Sequence, residues 1–248
     1  MKEDFLFIGH RGCRTEFIDE NTVNAFQMAL EYGANYIEFD VRKTKDGSLI
    51  IIHDQTLERT TQGSGSIKNL LYSEIINFKT EKTRQKIPLL PEVLEKFKGK
   101  IKFMIELKDR NIQGMVLDLV ERKNLVNDCI FSGRYLSDLY LLRELKSNIK
   151  ICYNITKGHE FNLEKFFTSK DQHEMLFHNI DMISLRSDLI TEDFLNICHK
   201  NNALALSWDF YKYDNSIYII KELIRKGIGG ILFDNYKNIP VIQDWLKR

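Results

Sequence analysis

The sequence lacks an excess of charge of either sign, and it lacks any long hydrophobic run. Its 36 Lys and Arg residues face 35 Asp and Glu residues, so the net charge is only +1. A net charge this small creates no overall electrostatic field that would attract nucleic acid or an anionic membrane. Any phosphate binding must therefore depend on a local group of charges. No apolar stretch approaches the roughly 20 residues that a membrane-spanning helix needs. We therefore expect neither nucleic-acid binding nor stable membrane insertion.

Paired cysteines are also lacking. The four cysteines stand far apart and form no CxxC or zinc-type pair: Cys13, Cys129, Cys152 and Cys198. This pattern is typical of reduced thiols in a cytosolic protein and argues against a disulfide framework. The apolar run Phe5–Ile8 is soon followed by charged residues and leaves no room for the core of a signal peptide. We expect a cytoplasmic protein whose 43% hydrophobic residues form a sizeable core.

Short β-branched and aromatic runs alternate along the 248 residues with longer segments of helical periodicity. The runs predict strands at Phe5–His10, Tyr36–Val41, Leu49–His53, Ile101–Leu107, Cys129–Ser132, Ile151–Ile155, Met182–Leu185, Ala203–Trp208 and Gly230–Asp234. The periodic segments predict helices at Glu20–Tyr32, Pro91–Phe97, Gln113–Lys123, Leu136–Leu145, Leu163–Phe167, Thr191–Lys200, Ser216–Lys226 and Val241–Leu246. This repeat favours an α/β fold of the (β/α)8 TIM-barrel type, although a doubly wound open sheet would give a similar string.

One pair of predicted strands breaks the repeat. Residues 43–47 lie in the short link between the second strand and the third, and they end in the turn pair Asp46-Gly47. So short a link predicts an antiparallel hairpin, which leaves eight principal strands. Residues 55–86 then interrupt the rhythm, and residues 60–66 read as an exposed loop. We expect residues 1–248 to form a single catalytic barrel domain with a small insertion, about 55–86, after the early hairpin.

Ionisable side chains are concentrated at the predicted strand ends. The first strand ends in Gly9-His10-Arg11-Gly12, the second in Glu38-Phe39-Asp40, the hairpin arm in His53-Asp54, and the next strand in Glu106-Leu107-Lys108. Barrel and open-sheet enzymes build their sites at the carboxyl ends of parallel strands. These four ends therefore predict one active site.

Three carboxylates of this set are expected to converge. Residues two apart on a strand share a face, so Glu38 and Asp40 point the same way, and Glu106 joins them from a neighbouring strand. Unpaired, the three would raise each other's pKa values, whereas a hard divalent cation would keep them ionised. The all-oxygen set favours one Mg²⁺ or Ca²⁺ ion, leaves Mn²⁺ open and disfavours zinc. The alternative is that these charges only pair with nearby Arg and Lys residues.

His10 and His53 are candidate proton-transfer residues. Imidazole titrates near neutrality, so two histidines beside a metal can act as base and acid, or can instead serve as metal ligands. Arg11 offers a planar donor to a phosphate and Lys108 a compact positive charge, although both could instead pair with the carboxylates.

The order of these motifs resembles the glycerophosphodiester phosphodiesterase family. The matching segments are Gly9-His10-Arg11-Gly12, Glu20-Asn21-Thr22, Ala25-Phe26, Gly33-Ala34, residues 37–41, residues 44–47, His53-Asp54, Leu57, Arg59-Thr60-Thr61 and residues 105–108. The carboxyl-terminal half matches less well, through Trp208 and Asp234-Asn235.

The resemblance implies a phospholipase-C-like phosphodiesterase barrel that hydrolyses glycerophosphodiesters to an alcohol and glycerol 3-phosphate. It assigns the cation to Glu38, Asp40 and Glu106, acid and base catalysis to His10 and His53, and the substrate phosphate to Arg11 and Lys108. Trp208 resembles the family's aromatic wall for the glycerol moiety, or is a core residue. Asp19 and Asp209-Phe210 depart from the family pattern, which bears on substrate preference.

Two rival functions use the same chain differently. A phospholipase-D-like enzyme acting on lysophospholipids would reuse the metal and the histidines, and would need an apolar groove from residues 55–86 or from the Phe-rich stretch 156–179. Those phenylalanines could instead pack a helix against the barrel. A non-catalytic binding module would be expected to have lost a histidine or a carboxylate of the site, and none is missing. The head group and the oligomeric state do not follow from the sequence.

Overall fold

The fold is built on one nine-stranded sheet. The computed structural model describes residues 5–159 and 161–248, so residues 1–4 of the predicted domain and residue 160 of the Phe-rich stretch lie outside it. The strands are β1 (Leu6–Gly9), β2 (Tyr36–Lys43), β3 (Leu49–Ile51), β4 (Lys102–Leu107), β5 (Cys129–Gly133), β6 (Lys150–Asn154), β7 (Met182–Arg186), β8 (Leu204–Trp208) and β9 (Gly230–Phe233).

Eight of these strands close into a parallel barrel. β1 pairs with β9 on one side and with β2 on the other, and the remaining strands follow in the order β9-β8-β7-β6-β5-β4-β2. β3 lies outside this ring as an antiparallel partner of β2, with Val41 opposite Ile51. The predicted (β/α)8 barrel with an early hairpin is confirmed, and the open sheet is excluded because the ring closes.

Helices follow the barrel strands. They are α1 (Val23–Glu31), α2 (Tyr72–Ile75), α3 (Leu90–Phe97), α4 (Gln113–Arg122), α5 (Leu136–Leu145), α6 (Leu163–Thr168), α7 (His173–Asn179), α8 (Glu192–Lys200), α9 (Ser216–Arg225) and α10 (Asn238–Leu246). α1 was expected from Glu20 but begins at Val23, because the Thr22 side chain accepts from the Ala25 N–H and so caps the helix there. α2 and α7 were not predicted.

The barrel interior contains an apolar layer to which each barrel strand contributes one residue. Its buried members are Ile8, Tyr36, Met104, Ile130, Cys152, Met182, Leu206 and Leu232. Two residues further along each strand, the same inward face carries polar or aromatic side chains: His10, Glu38, Glu106, Ser132, Asn154, Ser184, Trp208 and Asp234. Side-chain alternation along a strand therefore places a polar layer directly above the apolar one, toward the carboxyl ends.

The two segments outside the barrel rhythm contain packed apolar side chains. Residues of the predicted insertion form their own small core with the hairpin, made of Ile50, Ile52, Leu57, Ile67, Ile75 and Ile87. In the Phe-rich stretch, Phe161 and Phe166 are buried, while Phe167 and Phe177 pack against the main core. The interpretation that these aromatics pack against the barrel is confirmed.

Candidate active site

The three predicted carboxylates converge at the barrel mouth. Asp40 of β2 lies directly opposite Glu106 of β4 in the parallel register, and Glu38 precedes Asp40 on the same face. One oxygen from each of the three lies within 4.8 Å of the others, and all three side chains are buried. The sequence-based prediction that alternation on β2 and β4 would bring them together is confirmed.

Glu38 is the carboxylate with the least compensation. Its Oε2 accepts the Arg11 backbone N–H at 2.7 Å, but its Oε1 is buried and has no hydrogen-bond partner among the described residues. Burial, together with the neighbouring charges of Asp40 and Glu106, raises the pKa of Glu38 well above its ordinary value. The cluster therefore holds one more negative charge than its surroundings readily support.

Lys108 compensates the other two carboxylates. Its Nζ lies 2.7 Å from Glu106 and 3.1 Å from Asp40. Burial opposes the ionisation of both groups, but Lys108 outweighs it together with Arg11 at Asp40 and with Arg134 at Glu106. The pKa of Asp40 is therefore well below its ordinary value and that of Glu106 is lowered. The Asn21 amide adds a hydrogen bond to Asp40 at 2.7 Å. Among the three carboxylates, only Glu38, which Lys108 does not contact, has a raised pKa, as expected for an unpaired member of the cluster.

The donor set fits a divalent cation. All three groups offer oxygen, which Mg²⁺, Ca²⁺ and Mn²⁺ accept, and none offers the thiolate or imidazole typical of zinc sites. The unpartnered Oε1 of Glu38 supplies a buried acceptor that a cation would satisfy. Glu38, Asp40 and Glu106 are therefore the residues that could hold it.

The loop after β1 presents Arg11 to this cluster in a strained conformation. Three successive residues have positive φ angles, 52° at Arg11, 82° at Gly12 and 99° at Cys13. A side chain at position 12 would lie 2.7 Å from the Ala25 side chain, so glycine is required there on steric grounds as well. The turn directs the Arg11 guanidinium to Glu20 at 2.8 Å and to Asp40 at 3.6 Å.

His10 is held by a buried carboxylate. Its Nδ1 lies 2.7 Å from Asp234, which follows β9. Asp234 also accepts from the Arg14 guanidinium at 2.8 Å and from the backbone N–H of Phe210 and Tyr211. Burial opposes its ionisation, but His10 and Arg14 prevail and hold the pKa of Asp234 far below its ordinary value. Asp234 is thus an anion that fixes the orientation of the His10 ring.

His53 has a similar but more accessible partner. Its Nδ1 lies 2.6 Å from Asp54, which is itself bound by Arg59, and Arg59 reaches Glu20 at 2.6 Å. Arg59 and His53 outweigh burial and lower the pKa of Asp54 to about 2. Burial of His53, with Arg11 and Lys108 nearby, outweighs the effect of Asp40 and lowers the pKa of the imidazole, which favours its neutral form near pH 7.

Trp208 lies at the same mouth. It ends β8, is half-buried, and its ring centroid lies 6.3 Å from that of His10. The two residues after Trp208 bind the groups that hold His10. Asp209 accepts from Arg14 at 3.3 Å, and Phe210 donates its N–H to Asp234. The departures from the family pattern at 209–210 therefore adjoin the catalytic end of the barrel. A cavity of about 520 Å³ opens beside them, between Arg14, Tyr211, Tyr213, Asp214 and Tyr236.

The structure also brings in residues to which no separate role was assigned from sequence. Asp234 and Asp54 hold the two histidines, and Arg134, after β5, contacts Glu106 at 3.1 Å. The inward position of Arg134 could have been predicted by counting in twos from Ile130, but the partner of His10 depends on how the barrel closes. Cys13 is buried under the loop and all four cysteines, which lie in the described part of the chain, are free. The expectation of reduced thiols is consistent with this.

A (β/α)8 barrel whose strand ends gather buried carboxylates, carboxylate-bound histidines and cations has the architecture of a barrel enzyme. Comparison of the sequence with known protein families shows which family of barrel enzymes it is. The model of the glycerophosphoryl diester phosphodiesterase family matches residues 10–238, and the chain belongs to this family. The resemblance noted in the sequence is confirmed.

Individual relatives agree with this assignment. The chain is 35% identical over 240 residues to a glycerophosphodiester phosphodiesterase of Bacillus altitudinis, covering 91% of this chain and 92% of the relative. It is 34% identical over 138 residues to a human lysophospholipase D, GDPD1, covering 50% of this chain and 44% of the relative.

A solved structure of an Oleispira antarctica phosphodiesterase in complex with the product sn-glycerol-3-phosphate superposes with a TM-score of 0.80 at 19% identity, covering 96% of each chain. This structural likeness supports the fold. Within the part of the chain that is described, no helix is long and apolar enough to cross a bilayer.

Proposed function

We propose that the chain hydrolyses glycerophosphodiesters to an alcohol and glycerol 3-phosphate, with His10 and His53 as the proton-transfer pair. The observation that carries this proposal is the placement of two carboxylate-bound histidines at the barrel mouth that also holds Glu38, Asp40 and Glu106. Family membership and the product bound to the Oleispira antarctica phosphodiesterase support the substrate class.

Positive charge at the mouth would receive the substrate phosphate. The Arg11 and Lys108 side chains both lie on the carboxylate cluster, where they provide guanidinium and ammonium donors. One divalent cation held by Glu38, Asp40 and Glu106, either Mg²⁺, Ca²⁺ or Mn²⁺, would neutralise phosphate charge and act as a Lewis acid. Trp208, half-buried beside His10, would form an apolar wall for the glycerol moiety.

The two histidines divide the proton transfers. One removes a proton from the nucleophile as its oxygen bonds to phosphorus, and the other protonates the alcohol oxygen as the P–O bond breaks. Asp234 and Asp54 each accept from Nδ1, which leaves Nε2 of either ring to face the reaction. The nucleophile is the glycerol 2-hydroxyl, giving a cyclic phosphate that water then opens, or water directly. Detection of the cyclic phosphate by ³¹P NMR distinguishes the two routes.

A substrate screen tests the proposed activity. Glycerophosphocholine, glycerophosphoethanolamine and glycerophosphoglycerol would be offered with Mg²⁺, Ca²⁺ or Mn²⁺, and glycerol 3-phosphate detected by a coupled enzyme. We expect release of glycerol 3-phosphate from at least one of them, abolished by a chelator. Absence of product with all three metals would overturn the proposal.

Lysophospholipids are a second candidate substrate class. Two aromatic side chains are exposed at the edge of the 520 Å³ cavity, Phe17 at 76% and Tyr211 at 64%, and one relative carries the name lysophospholipase D. Comparing the turnover of lysophosphatidylcholine with that of glycerophosphocholine separates the two classes.

A single barrel domain is proposed to carry this activity, with the segment 55–86 as its insertion. The small core that this segment shares with the hairpin supports the division. A cytoplasmic location also stays a prediction, supported by the four buried, free cysteines.

A further inference from the structure

A second cavity, of about 220 Å³, lies at the ends of β4, β5 and β6, on the side of the mouth away from His10. Its described lining consists of Arg110, Arg134, Tyr135, Leu136, Tyr153, Gly158, His159 and Phe161. We call it the Arg110–Arg134 cavity. Two arginines and a histidine line it, and none of the described lining residues is acidic.

Arg134 connects this cavity to the carboxylate cluster. It occupies the third inward position of its strand, after Ile130 and Ser132, and its Nη2 donates to Glu106 at 3.1 Å. Its Nε is buried and has no hydrogen-bond partner among the described residues. A buried donor of a charged group without an acceptor is unfavourable, so Arg134 is not fully compensated by its contact with Glu106.

Arg110 is held in place by its own contacts. Its Nε donates to both carboxylate oxygens of Asp138, at 3.1 and 2.9 Å, and Nη2 donates to Ser137 at 3.0 Å. The guanidinium lies over the Tyr135 ring, 4.7 Å from its centroid, and the His159 ring contacts Tyr135 edge-on at 5.1 Å. This packing holds the cation in place while 49% of its side chain stays exposed. A ligand would therefore meet an ordered guanidinium with no large cost of ordering it.

We propose that the Arg110–Arg134 cavity binds a second phosphate group, carried by the alcohol portion of the substrate. This second site rests on the proposed function, which places the scissile phosphodiester on the carboxylate cluster and the alcohol portion of the substrate beyond that cluster. The ten-residue helix α5 begins at Leu136 within the same wall, so its positive end adds to the field of the arginines. Guanidinium forks match phosphate geometry, which favours a phosphate as the ligand of the two arginines.

Two substrates differing in one charge test the proposal. Glycerophosphoglycerol releases a neutral alcohol, whereas 1,3-bis(glycerophospho)glycerol releases an alcohol that keeps a second phosphodiester. We expect the unmodified chain to prefer the second substrate in kcat/KM. Arg134→Gln and Arg110→Gln should each reduce that preference about tenfold, mainly through KM, because each removes a charge-assisted contact with the distal phosphate.

Arg186→Gln is the matched control. Arg186 ends β7 at the same barrel face and pairs with Asp188 much as Arg110 pairs with Asp138, but it does not line the cavity. Arg186→Gln removes one positive charge from the same face without changing the cavity. The preference between the two substrates should therefore stay within about twofold of that of the unmodified chain. If Arg186→Gln reduced the preference as much as the cavity variants do, the preference would come from long-range charge and not from binding of the second phosphate in the cavity.

The outcomes separate this proposal from the proposed function. If the unmodified chain cleaves no glycerophosphodiester at all, glycerophosphocholine included, the proposed function fails. If it cleaves glycerophosphocholine but neither of these two substrates, the second-phosphate site is wrong. If both are cleaved but the preference is absent, or is unchanged in both variants, the second-phosphate site is wrong. If Arg134→Gln lowers kcat/KM equally on both substrates, Arg134 acts only through its contact with Glu106. Arg110 does not contact Glu106, so the preference measured in Arg110→Gln then decides whether the cavity binds the second phosphate. The half-exposed Arg110 also carries the test if Arg134→Gln does not fold.

Discussion

Asp234 and His10 lie 224 positions apart in the sequence, yet the Asp234 carboxylate is 2.7 Å from Nδ1 of the His10 ring. The pairing follows from the closure of the barrel. β1 and β9 are parallel neighbours with Gly9 opposite Phe233, so the next residue on each strand meets its counterpart at the mouth. The last strand of the chain thereby orients a side chain on the first.

We predict that Asp234→Asn lowers kcat/KM about a hundredfold without unfolding the chain, because an amide cannot stabilise a protonated His10. Asp234 would act as a positioning residue, so the pH–rate profile should change shape as well as height. The exposed Asp244→Asn serves as the control for removing a carboxylate. An unaltered profile in Asp234→Asn would contradict the role.

The same residue should affect stability in acid. The pKa of Asp234 is depressed in the folded chain, so its stabilising contribution is complete above the unfolded value of about 3.9 and is lost as the pH falls through the folded value. The difference in Tm between the unmodified chain and Asp234→Asn should therefore be largest near pH 6 and shrink toward pH 3. Thermal melts across that range measure it, and a difference that grows in acid would show the opposite sign.

The histidines themselves give a direct test of acid–base catalysis. We predict that His10→Ala and His53→Ala each lower kcat by about 10²- to 10⁴-fold. His178 is exposed on α7, outside the barrel mouth, and His178→Ala should retain normal turnover. Either site variant keeping near-normal kcat would remove that histidine from the mechanism.

Glu38 allows the metal to be tested without measuring activity. In the presence of a chelator, Glu38→Gln should raise Tm by roughly 3–6 °C, because it removes an uncompensated buried charge. Adding Mg²⁺, Ca²⁺ or Mn²⁺ at about 100 times its Kd should stabilise the unmodified chain by about 2.7 kcal/mol, and the variant far less.

Glu144→Gln, an exposed acid on α5, is the control for the Glu38 experiment and should respond to the ions like the unmodified chain. If none of the three ions shifts the Tm of the unmodified chain, the carboxylate cluster is not a cation site.

Much of the candidate site could be predicted because it depends on local spacing. Glu38 and Asp40 share a face since they stand two apart on β2, and Glu106 and Lys108 do so on β4. The start of α1 was placed three residues too early because the Thr22 cap sets it at Val23. The Glu20 and Asn21 side chains before the cap instead bind charged partners, Arg11 and Asp40. No periodicity in the sequence reports such contacts.

The sequence by itself determined the strand and helix repeat, the polar strand ends and the all-oxygen character of the carboxylate cluster, since each depends on residue type and on the alternation of side chains along a strand. Only the tertiary structure decided that Asp234 holds His10, that Glu38 alone is left undercompensated, and that Arg134 and Arg110 face one cavity. These relationships depend on the closure of β1 against β9 and on the register between strands, which are set by packing of the whole barrel and not by any local run of residues.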